Sequence, residues 1–275
     1  MQHGTVEGQQ RTVSSFRQRR PAPLPDHGSF IEQIQVEHGP ANLLGRFFLA
    51  ADSFVRDRGL TLHFASFEDM ATTQDREVEN WPSLIPAFDH RVTDIPREKS
   101  FCIAVRDPNG KIVGMTAERF YDLSGSNLST AVSSGAFMPI EPPGPDGIAT
   151  ICELTAPNGG QITGRTCYSG AVWVQPDYRS LRLAGLLPRV TRACALTTWD
   201  IECNFGFVKT GDENSALVKR YGLPNAEPGM KYRSYWQSYD GVIIWMNVDD
   251  LLAGLNTYLN SIAPQIDIVG VASRA

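Results

Sequence analysis

From Pro40 to Arg58 the apolar residues fall three and four apart: Leu43, Leu44, Phe47, Phe48, Ala51, Phe54 and Val55. That period puts them on one face of an amphipathic helix, and Gly59 is placed to close it. Leu60 to Phe64 alternates as a short strand. Phe67 to Asn80 is polar with a few apolar positions and reads as a second helix, stopped by Trp81 and Pro82. Phe101–Val105 and Ile112–Phe120 are apolar runs on either side of Asp107-Pro108-Asn109-Gly110. Asn-Gly readily takes the positive φ angles of a tight hairpin, so an antiparallel pair is expected. Residues 122 to 147 are rich in Ser, Gly and Pro and read as an inserted loop. Ile148 to Leu154 and then Thr166 to Val174 read as strands. Leu183, Leu186, Leu187, Val190, Ala193, Cys194 and Leu196 return to helical period. Pro188 is expected in the first turns of that helix, where a missing N–H matters least. Ile201–Val208 is a further strand and Asn214–Tyr221 a short helix ending near Gly222. Met230–Trp236 and Val242–Val248 are the last strands. A final helix runs from Asp249 to Leu259, with Asp249 or Asp250 as its cap. The order predicts an α/β (α+β) fold: one mixed sheet with helices on its faces, in a single domain over 40–262.

Composition narrows the function. The chain has 275 residues, 42% hydrophobic, with a net charge of −5. The charge gives no general attraction to nucleic acid. No apolar run approaches the roughly 20 residues of a membrane-spanning helix. Residues 1–28 read as a solvated tail with a small basic cluster at Arg17, Arg19 and Arg20, and lack the apolar stretch of a secretory signal. The five cysteines include no Cys-x-x-Cys pair, which fits reduced thiols in a cytoplasmic protein. No two of the five histidines have i, i+4 spacing, so no metal is expected.

The join after Val174 carries the chemistry. A strand ends, a tight turn follows and a helix begins. A helix start offers unpaired N–H groups and the positive end of a dipole. Turn N–H groups can form a nest for phosphate oxygens. Arg179 and Arg182 add charge suited to bidentate phosphate contacts. In these residues, Arg179-Ser180-Leu181-Arg182-Leu183-Ala184 resembles the Q/R-x-x-G-x-G/A signature of the GCN5-related N-acetyltransferases. Val172-Trp173-Val174-Gln175-Pro176-Asp177-Tyr178 is similar to that family's fourth strand running into the signature. Arg182 stands where the family has glycine, and a positive φ there strains a non-glycine residue.

The resemblance implies the acyl-CoA N-acyltransferase fold, mostly antiparallel, whose fourth and fifth strands splay apart to admit the pantetheine arm. It implies that acetyl-CoA or another acyl-CoA lies against Trp173 and Val174, the turn Arg179, Ser180, Leu181, Arg182, Leu183, Ala184 and Gly185, and Asn214. The acceptor is an amine attacked directly, and a homodimer is compatible with it. A tyrosine seven residues after the asparagine gives a proton to the leaving thiolate; Tyr221 has that spacing. The family's Gly-Phe after it is replaced by Asn225-Ala226. Glu153, in the apolar context ICELT, is expected to be buried and raised in pKa, making it the candidate base. Glu202 is the second candidate, and the structural alternative for either carboxylate is pairing with Arg165 or another basic residue. Trp81 and Phe88 pack the core or line the acceptor site. The departures at Arg182 and after Tyr221 leave a second reading open: a non-catalytic CoA-binding or interaction module.

Overall fold

The computed structural model describes residues 29–81, 83–138, 147, 149–233 and 238–263. The tail at 1–28, most of the Pro-rich end of the expected insertion, and Trp236 lie outside them. Helix α1 (Ala41–Arg56) precedes strand β1 (Thr61–Ala65) and α2 (Phe67–Arg76). Strands β2 (Ser100–Arg106) and β3 (Ile112–Leu123) form the hairpin, followed by α3 (Leu128–Ser133) and β4 (Ile151–Leu154). Then come β5 (Gly164–Val174), α4 (Leu183–Trp199), β6 (Cys203–Lys209) and α5 (Ala216–Tyr221). Strands β7 (Asn225–Arg233) and β8 (Ser238–Asn247) and helix α6 (Val248–Ile262) complete the chain. The eight strands form one sheet in the order β1-β2-β3-β5-β6-β8-β7-β4. Every pairing is antiparallel except β5 with β6.

Helices α1, α4 and α6 bury their apolar stripes on one face of the sheet, around Phe47, Val55, Leu186, Val190 and Leu255. On the other face, α2, α3 and the segment Trp81–Phe88 cover an aromatic layer that includes Tyr168, Phe205 and Phe137. Several local expectations are corrected. Only Gly110 of the Asn-Gly pair has positive φ; the Asp107 side chain holds the turn by accepting from the backbone N–H groups of Asn109 and Lys111, both at 2.9 Å. Part of the expected loop is ordered as the end of β3 and as α3, capped by Asn127. Helix α6 is capped by Asn247, one residue before its start. Pro188 stands in the first turns of α4, as expected, but as its sixth residue it still leaves the Ala184 carbonyl without a helical partner.

The feature that positions the site is the way β5 and β6 part. They pair only at Thr166–Cys203, Cys167–Asn204 and Tyr168–Phe205. The last pair is locked by stacking of its rings, 5.2 Å apart and 7° from parallel. Beyond it, β5 has one residue more than β3 between Gly170 and Trp173, and Ala171 takes a φ of 53°. This is a β-bulge, which bends and twists the strand that carries it. Residues 169–174 therefore leave β6 and keep a free backbone edge. Phe88 lies directly on the backbone of Gly170, where any Cβ would overlap its ring. The expected outcome for Gly170→Ala is a loss of about 2 kcal/mol or more, the scale of an overpacked core, read as a lower urea midpoint at unchanged slope.

Candidate active site

Three adjoining cavities follow the free edge of β5. The first, about 380 Å³, opens at the start of α4 and is lined by Arg179, Ser180, Arg182, Ala184, Gly185, Arg189, Arg220 and Tyr258. The second, about 320 Å³, continues along Val172, Trp173 and Val174 and shares Arg179, Ala184 and Arg220 with the first. The third, about 240 Å³, sits in the fork itself between Ser169–Val172 and Gly206–Val208 and shares Trp81, Val172 and Tyr221 with the second. Among the described residues, no carboxylate lines any of them. A larger cleft of about 760 Å³ lies at the β1 edge beside α2. It is lined by charges of both signs, among them Glu68, Asp69, Asp94, Arg91 and Arg97, and Arg91 pairs with Asp75 and Asp89.

The α4 start is built to attract negative charge. No side chain caps it; the Gly185 N–H bonds to the Arg182 carbonyl at 3.2 Å, and the N–H groups of Leu183 and Ala184 precede that first bond. Arg182 is the residue immediately before the helix, with φ 64° and ψ 18°. The position is left-handed, as the glycine of the signature implies, and Arg182 occupies it under strain of roughly 1–2 kcal/mol. Its guanidinium lies 6.0 Å from the Phe54 ring centroid on α1. The Nε of Arg179 donates to the Val174 carbonyl at 3.3 Å, tying the turn to the end of β5. Among the described residues, none of Arg179, Arg182, Arg189 and Arg220 forms an ion pair.

Two arginines of α4 also fix the far wall. Arg189 donates to the carbonyls of Gly185 and Arg220 and stacks its guanidinium 4.3 Å from the Tyr258 ring centroid. Arg192, fully buried, donates to the carbonyls of Pro188 and Tyr221 and to the Met246 sulfur. Arg220 and Tyr221 are the last residues of α5, whose end carbonyls need partners, so both bonds hold Tyr221 at the fork. Burial brings Arg192 down to about 9, with Arg189 adding to the effect and Glu118 opposing it, so it stays charged at neutral pH. Burial also pushes the Tyr221 phenol up to about 12, with Asp212 contributing. Tyr221 is thus a hydrogen-bond donor that keeps its proton throughout the neutral range.

The expected site residues divide accordingly. Trp173, Val174, Arg179, Ser180, Arg182, Ala184, Gly185 and Tyr221 line the cavities. Leu183 is buried in the core and Leu181 packs against it. Asn214 is exposed in the turn before α5, whose cap is Ser215, and lines none of the three cavities. Glu153 is not buried as expected: it is exposed on the edge strand β4, opposite Lys231. Glu202 takes its structural alternative, pairing with Arg165 at 3.1 Å. Trp81 serves both readings, stacking on Trp173 at 5.4 Å while lining the fork. Sequence reasoning missed Arg189 and Arg220, which stand on helix faces with no motif of their own. It also missed Glu118, which reads in MTAERF as an ordinary outward position of a hairpin strand.

Glu118 on β3 is fully buried beside Ser169 of β5 and Asn204 of β6. Burial raises its carboxyl to about 7 against the hydrogen bonds and the Arg192 charge that favour ionisation. A folded value above the unfolded one means that the contribution of Glu118 to stability is fully present below pH 4.5 and is lost as pH rises toward and through 7. The shift corresponds to about 3 kcal/mol.

No protein-family model matches the sequence, and no curated protein matches it. Solved structures with a partial likeness include Arabidopsis thaliana NAA60 in complex with a bisubstrate analogue, at 15% identity and a TM-score of 0.43 over 68% of this chain and 98% of that one. A Vibrio cholerae spermidine N-acetyltransferase SpeG chimera is 10% identical, with a TM-score of 0.40 over 70% of this chain and 98% of that one. A GNAT-family acetyltransferase from Streptococcus pneumoniae is 12% identical, with a TM-score of 0.38 over 69% of this chain and 99% of that one. At such scores the likenesses say nothing of this chain's chemistry. Among the described residues no cluster is arranged for a metal ion, and no helix is long and apolar enough to cross a membrane.

Replacing Arg182 by Gly removes the left-handed strain. The expected result is a gain of roughly 1 kcal/mol, seen as a melting temperature raised by a few degrees; a lower one contradicts the strain.

Proposed function

We propose that the chain is an acyl-CoA-dependent N-acyltransferase, a divergent relative of the GCN5-related N-acetyltransferases, transferring an acyl group to an amine by direct attack. The observation that carries this reading is the continuity of the groove. It begins at four arginines with no carboxylate partner among the described residues, around a helix start without a side-chain cap, and ends in an apolar fork beside Tyr221. Its charged end suits a pyrophosphate and a further phosphate, held by backbone N–H groups and arginine forks. The free edge of β5 at Val172–Val174 suits the amides of a pantetheine arm, which can pair with it as an added strand does. The fork suits the thioester. A backbone N–H of the bulge polarises its carbonyl oxygen, and Tyr221 donates a hydrogen bond to the departing sulfur.

Calorimetric titration with acetyl-CoA and longer acyl-CoAs tests the reading. Binding is expected, weakening with added salt and at least tenfold weaker in Arg179→Ala and in Arg182→Gly, since each loses a charged hydrogen bond. Tyr221→Phe is expected to keep affinity and lose turnover. Absence of binding to every acyl-CoA overturns the proposal.

A further inference from the structure

Glu118, Ser169 and Asn204 touch pairwise and close a ring across three adjacent strands, on the face packed against α4. Ser169 Oγ contacts Glu118 Oε1 and lies 2.8 Å from Asn204 Oδ1, and Asn204 Nδ2 lies 3.1 Å from Glu118 Oε2. Three contacts need three hydrogens. The serine hydroxyl supplies one, and the asparagine amide supplies one to the neighbour its nitrogen faces. An ionised carboxylate supplies none. Turning the amide over exchanges which contacts are satisfied but leaves the count at two. The ring is complete only when Glu118 carries a proton, and an orphaned buried contact is costly. The raised carboxyl value agrees with this count.

Of the three residues, only Ser169 lines the fork cavity; Glu118 has no exposed surface. The groups facing Glu118 are Asn204 on β6, Thr191 and the Arg192 cation on α4, and the thiols of Cys167 on β5 and Cys194 on α4. Burial pushes both thiols well above their ordinary value, so neither competes for a charge near neutrality. Arg192 keeps the ionised carboxylate tolerable until a proton arrives.

We propose that Ser169 and Glu118 form a proton path out of the fork, with Ser169 touching the attacking amine and Glu118 behind it receiving the proton. The path rests on the acyl-transfer reading above. The neutral amine nitrogen attacks the thioester carbon and forms the C–N bond. Its proton passes to Ser169 Oγ while the serine's own proton passes to Glu118 Oε1. The C–S bond breaks with its electron pair left on sulfur, giving the CoA thiolate beside Tyr221. Closure of the ring favours the transfer, and the near-neutral carboxyl then returns its proton to solvent.

Glu118→Gln is the discriminating variant in the full chain. Its carboxamide donates to Ser169 and accepts from Asn204, so the ring stays whole without titrating. Acetyl-CoA affinity, melting temperature and release of CoA thiol with ethylamine, spermidine and a peptide bearing a free N-terminus are measured from pH 5.5 to 9. Acetyl-CoA affinity is expected within twofold of wild type. Thiol release is expected to fall by about a hundredfold or more, the scale of a lost general base, and the acidic limb near pH 7 to vanish. The variant is expected to melt with wild type at pH 5.5 and above it at pH 8.5. Unchanged rate and pH profile, or a wild type that binds acetyl-CoA yet releases no thiol with any amine, overturns the path. Absence of acetyl-CoA binding by wild type defeats the acyl-transfer reading and the path with it. Melting temperatures that coincide at every pH overturn the protonated ring independently of either.

Discussion

Everything at this site depends on a pairing that stops. Strands β5 and β6 are parallel partners for three residues each and then separate, because a bulge at Ala171 turns β5 away while Tyr168 and Phe205 hold the fork closed below. A separated pair gives up its ladder hydrogen bonds in the middle of a sheet, where backbone groups are almost always satisfied by one partner or another. The gap is thus both a cavity and an edge of β5 that β6 does not pair. An extended polar ligand with amides along its length answers both.

The charge distribution follows from the same geometry. The chain carries a net charge of −5, yet four arginines converge, without carboxylate partners among the described residues, where β5 turns into α4. Two helices share the work. Arg179 and Arg182 come from the turn and Arg220 from the end of α5, while Arg189 reaches across from α4 to the Arg220 carbonyl. Gly222 makes this possible: it closes α5 at a φ of 76°, where a Cβ would overlap the Arg189 guanidinium. Arg189 lines the charged cavity and also, with Arg192, holds the end of α5 that carries Tyr221, so the charged end and the fork share one framework.

Much of the fold was legible from periodicity. The helices α1 and α4, the hairpin and the strand before the turn stand where apolar spacing put them, because each buries a continuous stripe or face. The strand, turn and helix start were legible because that chemistry is local, whereas the left-handed backbone at Arg182 was suggested only by the glycine that the resembling signature has there. What escaped was non-local. Glu153 sits in an apolar pentapeptide, but β4 is the sheet's edge and only alternate residues face inward. Asn214 keeps the family spacing to Tyr221, yet α5 starts two residues later, at Ser215's cap, and leaves the asparagine in solvent. Glu118 gains its character only because β5 and β6 bring Ser169 and Asn204 alongside it, and no spacing along the chain records that. Arg189 matters only because the end of α5 packs beside it.

The most direct test of the groove is backbone hydrogen–deuterium exchange with and without acetyl-CoA. The account predicts that the ligand slows exchange in residues 169–174 of β5 and in the first turn of α4, at 183–185, while the cleft beside α2 is unchanged. Protection confined to the α2 cleft, or none in β5 and α4 at saturating acetyl-CoA, would contradict it.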